Sequence, residues 1–409
     1  MNDLKIGVVG LGKLGLPLAA VLANSQFSVT GVDTDSDHVS LLKLKQFNST
    51  EPELNNYLQK NESRLNFSTN FNELKNIDVI YLIVPTPSNE SGYFINDYLL
   101  DAIKEIGKVW KKATHVRTLV IVSTVMPGMT TNYLIPALES ATGEKIGSNL
   151  QVVYSPEFIA IGSVIKDLQE PDLLLIGTNS EGSANEHKFI MNTIIKSKVV
   201  TRFLNFEEAE LVKLLINNFI TTKITFANQI SEFTDLVPGT SASKIAEAIG
   251  NDTRIGQKYL KPGLGFGGPC FPRDTRALVA FAVANNWNSE LALAVEKINL
   301  RQPKLMLDRI IGSNKNIKQV GIYGLAYKAG ASILEESQAV ELINEIVNLD
   351  MEVFAYDPLI TTKPSSFNAK INFVNDVASL ENLDLLICTQ SIVSADEPKL
   401  QRIKKYFTF

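Results

Sequence analysis

Cysteine is scarce in this sequence, and the scarcity settles several questions. Cys270 and Cys388 are the only two. They stand far apart in unlike contexts, so neither a disulfide framework nor a zinc centre is expected, and a reducing cytoplasm suits the chain. No apolar run approaches the roughly eighteen residues that a membrane helix requires. No signal peptide is read, because the N-terminus runs straight into a strand, Leu4-Lys5-Ile6-Gly7-Val8-Val9. Positive charge is also short. The net charge is −5, which leaves no footprint for nucleic acid. The one visible basic cluster, Lys399, Arg402, Lys404 and Lys405, reads as a solvated helix face. What is present, 45% hydrophobic and 20% charged residues, is the balance of a soluble globular protein. At 409 residues the chain exceeds one ordinary core, and two or three domains are expected.

Glycine falls in two informative runs. The first, Gly10-Leu11-Gly12-Lys13-Leu14-Gly15, follows a strand, opens a helix from Leu16 to Ala23, and precedes a second strand ending at Asp33. A GxGxxG alone is weak; in this setting it is the dinucleotide-binding fingerprint. The glycines let a pyrophosphate approach the backbone, the helix N-terminus supplies amide donors, and Asp33 accepts from a ribose hydroxyl. Asp33 and Asp35 would repel a 2′-phosphate, so NAD is favoured over NADP. Two aliphatic strands then run into Val84-Pro85-Thr86-Pro87 and Ser123-Thr124-Val125. Ligands sit at such strand ends, which makes Thr86 and Thr124 candidate cofactor contacts. A further strand delivers Glu157 in the same way.

From Phe206 to about Leu236 apolar residues recur at helical spacing, without Pro or Gly until Pro238-Gly239. A helix of about thirty residues spans some 45 Å, which suits a link between domains and a subunit interface. Lys213 and Asn217 share one face of it. The second glycine run is Pro262-Gly263-Leu264-Gly265-Phe266-Gly267-Gly268-Pro269-Cys270, followed by Arg273 and Asp274. It reads as a loop closing over a ligand, with a thiol at its mouth placed as a nucleophile. The segment from Arg301 to Gly312 reads as a short helix opened near Pro303, without a ligand role.

After Gln319 the first pattern returns: a strand, the turn Gly324-Leu325-Ala326-Tyr327-Lys328, a helix from Ser337, and a strand ending in Asp357. The segment from Asn66 to Asp78 resembles that from Asn372 to Asp384. The expected fold is α/β, two Rossmann-like doubly wound domains joined by a central helical domain with one long helix. The boundaries expected are 1–200 for the NAD-binding domain, 201–312 for the helical domain carrying the cysteine loop, and 313–409 for the second Rossmann-like domain. That second copy lacks GxGxxG and should hold something other than NAD.

Together these motifs resemble the UDP-glucose/GDP-mannose dehydrogenase family over essentially the whole chain. The resemblance rests on Gly10–Gly15 with Asp33, Val84–Pro87, Ser123–Val125, Pro156-Glu157-Phe158, Glu210 through Lys213 to Asn217, Arg254-Ile255-Gly256, Gly265–Asp274 and Gly324–Lys328. It implies oxidation of a nucleotide sugar's primary alcohol to a carboxylate with two NAD⁺. Cys270 would form a thiohemiacetal and then a thioester. Lys213 would stabilise the oxyanion, Asn217 would hold sugar oxygens, Asp274 would act as base or water-orienting group, and Glu157 and Thr124 would place the hydrolytic water. Phe158, Tyr259, Leu260, Lys261, Gly267, Tyr327 and Lys328 would line the nucleotide-sugar site, with Arg254 reaching in from a neighbouring subunit of a homodimer. Gly10, Gly12, Leu14, Gly15, Asp33, His38, Thr86, Thr124 and Arg273 would contact NAD. No metal is implied.

The chain departs from the family pattern at Ile161, where a second glutamate is usual, at Glu335, where an arginine is usual, and at His38. Pro269 before the cysteine resembles the UDP-glucose branch, so UDP-glucose is the expected substrate, with a UDP-N-acetylhexosamine or GDP-mannose as alternatives. A 6-phosphogluconate-type dehydrogenase would need neither Cys270 nor residues 320–409. A non-catalytic NAD- and nucleotide-binding regulator would have little use for the thiol.

Overall fold

The computed structural model describes residues 4–111, 114–147, 149–312, 317–367, 369–400 and 406–408. The chain forms two compact units, Met1–Leu214 and Leu215–Phe409. In the first, the strands and α-helices run in the order β1 (Lys5–Val9), α1 (Gly15–Asn24), β2 (Ser28–Val32), α2 (Ser36–Lys43), α3 (Leu54–Lys60), β3 (Leu65–Ser68), β4 (Val79–Leu82), α4 (Asp97–Trp110), β5 (Arg117–Ile121), α5 (Ile135–Thr142), β6 (Leu150–Tyr154), α6 (Val164–Gln169), β7 (Leu173–Gly177), α7 (Asn185–Ile194) and β8 (Val200–Leu204). The sheet order is β3-β2-β1-β4-β5-β6-β7-β8. All pairs are parallel except β6 with β7.

The near-continuous aliphatic strands have the cause expected of a sheet covered on both faces. Along β4, Val79 and Tyr81 enter one core with α1 and α7, while Ile80 and Leu82 enter the other with α4 and α5. The helix expected from Phe206 is α8 (Phe206–Asp235), 30 residues long.

The second unit continues with α9 (Ala242–Gly250), α10 (Phe271–Ala284), α11 (Glu290–Gly312), β9 (Gln319–Tyr323), α12 (Gln338–Asn348), β10 (Glu352–Tyr356), β11 (Ile371–Phe373), β12 (Leu385–Cys388) and β13 (Tyr406–Thr408). Its sheet, β11-β10-β9-β12-β13, repeats the order β3-β2-β1-β4-β5. The repeat extends to single hydrogen bonds. Lys5 N donates to Asp78 (2.8 Å), and Lys318 N to Asp384 (2.8 Å). Gly10 N donates to the Val32 carbonyl, and Gly324 N to that of Tyr356 (both 2.8 Å).

Two local expectations need correction. No helix opens at Pro303, because α11 runs through it. Proline removes the donor to residue 299, yet Met306, Leu307 and Ile310 beyond it are buried in the core of the second sheet and hold the helix on course. In the basic cluster, Lys399 lies in a 3-10 turn, Glu397–Leu400. Arg402, Lys404 and Lys405 lie outside the described residues.

Asp357 shows what holds the second module. It is buried, and it accepts from Leu325 N (2.8 Å), Ala326 N (3.0 Å) and Leu359 N (2.8 Å). Asp357→Ala strands the two buried amides of the turn and is expected to cost on the order of 3 kcal/mol in urea unfolding. A loss within the ±0.5 kcal/mol or so of ordinary surface changes would show that the turn stands without it.

Candidate active site

In the first unit the glycine turn is built around close backbone approach. Gly10 has φ +91°, and a Cβ there would stand 2.1 Å from the Ile83 carbonyl oxygen. Above Gly12 the space is open, with no atom within 4 Å of a Cβ position. No side chain caps α1, whose N-terminal flank is Leu14. Asp33 accepts from Leu11 N (2.6 Å) and Asp35 N (2.9 Å). A carboxylate has about four lone-pair positions, so capacity remains for a hydroxyl. His38 Nε2 lies 3.0 Å from the Leu11 carbonyl, which brings His38 to the same turn. Thr86 is buried and donates to the Thr124 carbonyl (2.7 Å).

The strand-end loops are tied to α8. Glu210, fully buried, accepts from Gly128 N (2.5 Å) and Thr130 N (2.8 Å). One turn on, Lys213 donates to the Glu157 carbonyl (2.7 Å) and stands 4.8 Å above the Phe158 ring. Burial pushes the Glu157 carboxyl up to about 7, with Lys213 pulling the other way. Glu51 holds the following loop by accepting from Gly162 N and Val164 N. That loop carries Ile161.

In the second unit Cys270 is exposed and occupies the N-cap position of α10. Helix N-termini favour a thiolate. Asp274, 1% exposed, accepts from Asn217 Nδ2 (2.7 Å) at one oxygen. At the other it accepts from Arg273 Nε (3.1 Å) and Nη2 (2.9 Å). Burial works against the Arg273 guanidinium, but Asp274, Cys270 and Glu335 together raise its pKa. Burial and the neighbouring Cys270 push the Tyr327 phenol up to about 12.

The loop before Cys270 is clamped by amide side chains. Gly263 N donates to Asn228 (2.8 Å), and Gln302 donates to the Gly263 carbonyl (2.9 Å). Asn299 closes both backbone groups of Phe266, each at 2.9 Å. Two glycines then make contacts that no other residue could make. A Cβ on Gly267 would stand 2.1 Å from the Glu336 carbonyl oxygen, and one on Gly268, at φ +82°, would stand 2.4 Å from the Tyr327 ring. Phe271 sits edge-on to Phe266 and to Tyr259.

A cavity of about 210 Å³ lies beside this loop, lined by Lys261 to Gly265, Ala326, Tyr327, Ser337, Gln338, Ala339 and Thr389. Gln338 Oε1 is buried there without a hydrogen-bond partner among the described residues. Lys328 lies 6.0 Å from the Tyr327 ring. Leu260 is buried, and Lys261 and Tyr259 are exposed. Arg254 does not line the cavity; it is exposed and held by Asp252 at 2.6 Å.

Asn228, Asn299, Gln302 and Glu51 were not anticipated from sequence. For two of them a signal existed: Asn299 and Gln302 interrupt the buried stripe Val295, Asn299, Gln302, Met306 of α11.

Three family models match the chain. The UDP-glucose/GDP-mannose dehydrogenase NAD binding domain matches residues 4–195, the central domain 207–301, and the UDP binding domain 321–407. A UDP-glucose 6-dehydrogenase of Haloferax volcanii is 30% identical over 93% of this chain and 90% of its own length. A GDP-mannose 6-dehydrogenase of Pseudomonas putida is 31% identical over 87% and 81%. The structure of a UDP-glucose dehydrogenase from Pyrobaculum islandicum superposes with a TM-score of 0.88 at 27% identity, covering 99% of this chain and 97% of that one. The cofactor is NAD. The first glycine turn fits it, with open space over Gly12, an uncapped helix start and Asp33 with acceptor capacity.

The Glu157 carboxyl yields a pH prediction. Its pKa rises from an ordinary 4.5 to about 7 on folding, so the folded state binds the extra proton and loses stability as pH climbs between those values. Glu157→Gln carries no such dependence. The variant's unfolding midpoint relative to the parent should therefore rise from pH 4.5 to pH 7 and then level off. A flat or falling difference would show that the carboxyl is not held neutral by its surroundings.

Proposed function

Because the chain belongs to the UDP-glucose/GDP-mannose dehydrogenase family and is an NAD-dependent nucleotide-sugar dehydrogenase, we propose that it oxidises UDP-glucose to UDP-glucuronate through a covalent adduct on Cys270. The observation carrying the chemistry is the thiol itself, exposed at the N-terminus of α10, at the end of a loop that also lines the 210 Å³ cavity. The substrate reading is supported by Pro269 before the cysteine and by the relatives named UDP-glucose 6-dehydrogenase. The nucleotide would take the cavity, where Lys261 offers positive charge, Gln338 an orphaned acceptor and Tyr327 a ring.

When bound, NAD⁺ accepts the hydride in each of the two oxidations. In the first, the C6 hydroxyl loses its proton as hydride leaves C6. The Cys270 sulfur then bonds to the aldehyde carbon, giving a thiohemiacetal whose alkoxide can expel a second hydride; a free aldehyde has no such alkoxide. Water adds to the resulting thioester, the carbon–sulfur bond breaks, and Cys270 recovers its thiol. Lys213 stabilises the alkoxide, the kind of contribution worth about 10²–10³ in rate for one donor. Glu157 and Thr124 place the water, and a carboxyl near 7 can both take and give a proton at neutral pH. Asn217 orients the sugar. Asp274 orients Asn217 and Arg273, since both its oxygens are committed to them.

The chain is proposed to act as a homodimer. Phe219, Phe226 and Phe233, seven residues apart on α8, are each about half exposed or more, an apolar stripe of the kind that pairs two copies. Phe226→Asp should convert a sedimenting dimer into monomer. A parent that already sediments as an active monomer would remove this reading.

The chemistry is tested by single turnover with UDP-glucose, following NADH and product mass together. The parent should yield two NADH per carboxylate with no aldehyde released. Cys270→Ala should retain cofactor and nucleotide affinity within a few-fold and form no carboxylate, because untethered water is slower by several orders of magnitude. Carboxylate made by that variant near the parent rate would show the nucleophile to be elsewhere. Preferential oxidation of GDP-mannose or a UDP-N-acetylhexosamine would move the substrate while keeping the chemistry.

A further inference from the structure

The segment between β9 and α12 meets the cysteine loop at one unusual residue. Glu336 is a non-glycine residue in the left-handed region, with φ 52°. Its carbonyl oxygen lies against the Gly267 backbone, so close that no Cβ fits between them. Its carboxylate accepts from Arg276 Nη1 (2.7 Å) and Nη2 (3.2 Å). Arg276 stands on α10, the helix that Cys270 opens, and its Nε donates to Glu296 of α11 (2.6 Å). The same residue therefore touches the loop before Cys270 through its backbone and the helix after Cys270 through its side chain.

Such a conformation has a cost for any residue with a Cβ. The ion pair does not explain it as a stability device, because both side chains are more than a third exposed and pairs of that kind add little. A strained backbone held by contacts on both sides of a reactive group has its explanation in geometry.

We propose that Glu336 is a positioning residue for Cys270, bracing Gly267 with its peptide and α10 with its carboxylate. This rests on the role proposed for Cys270, but its central readout does not need turnover. Hydrogen exchange of the peptide covering 262–270 is measured in the full chain, alongside kcat and KM. Glu336→Gly keeps the left-handed backbone without strain and loses the carboxylate. Amides of that peptide should exchange roughly fivefold faster, the most a pair of this exposure can hold, and kcat should fall while KM for the nucleotide sugar stays near the parent value. Arg276→Ala should match it, and the double variant should add nothing further. Glu336→Asp should recover most of the protection, and Glu296→Gln should leave it unchanged. If Glu336→Gly does not fold, Glu336→Gln makes the same test. Parent-like exchange in both Glu336 and Arg276 variants overturns the proposal, whatever the activity. Faster exchange beside a Cys270→Ala variant that still makes carboxylate keeps the brace and discards the nucleophile.

Discussion

The backbone of the cysteine loop must pass within van der Waals distance of Glu336 and of the Tyr327 ring, and only residues without a Cβ can do so at Gly267 and Gly268. That requirement fixes the composition of the loop, and the composition creates a difficulty. Glycines lose more conformational freedom on folding than other residues, so a loop rich in them is costly to order. Ordering comes from outside: Asn228 on α8 and Asn299 and Gln302 on α11 bind the loop's amides and carbonyls. Each of these buried side-chain amides would be expensive to leave unmet. The polar positions on the buried stripe of α11 are therefore the counterpart of the glycines, and neither set is explicable without the other.

The two sheets share order, register-setting aspartates and the turn after the first strand, yet their turns do different work. After Gly10 the chain enters α1 at Gly15, leaving an uncapped helix start and open space over Gly12. After Gly324 the chain runs on to Ser337 before α12 begins, and Ser337 Oγ donates back to the Leu325 carbonyl (2.6 Å). The longer excursion carries Tyr327, Lys328, Glu335 and Glu336. A frame that in one copy leaves the turn backbone open over Gly12 presents, in the other, side chains to the cysteine loop and a cavity. Asp33 and Asp357 perform the same structural task in both, accepting from the turn amides.

Much of this was legible in the sequence because it depends on local pattern. The strand, turn and acid of the first module, the thirty-residue helix and the repeat after Gln319 all announce themselves by periodicity and glycine spacing. What escaped depends on contacts made across long separations. Nothing local marks Glu51 as the acceptor for Gly162 and Val164, or Asn228 as that for Gly263. Pro303 misled for a related reason: its local effect is to break a helix, and burial of Met306, Leu307 and Ile310 overrides it. Glu335 reads as a departure in sequence and Glu336 carries no signal there, whereas in space Glu335 acts on Arg273 and Glu336 pairs with Arg276.

Two cations, Arg273 and Lys213, are held by different kinds of partner. Arg273 gives two hydrogen bonds to the Asp274 carboxylate and has Glu335 in its field as well. Asp274, Cys270 and Glu335 all act on it, so the acid at position 335 adds to the negative charge around the guanidinium. The aligned amides at the start of α10 then supply the field that favours a thiolate at Cys270, acting only over the first turn. Lys213 is held by other means. It donates to a peptide carbonyl and lies over the Phe158 ring, two partners that orient an ammonium. Burial raises the nearby Glu157 carboxyl to about 7, with Lys213 pulling it down. An ammonium held in a fixed orientation suits the stabilisation of a developing alkoxide, the role proposed for Lys213. Glu335 therefore acts on the surroundings of Arg273, the cation beside Cys270, and adds to the negative charge that Arg273 already meets.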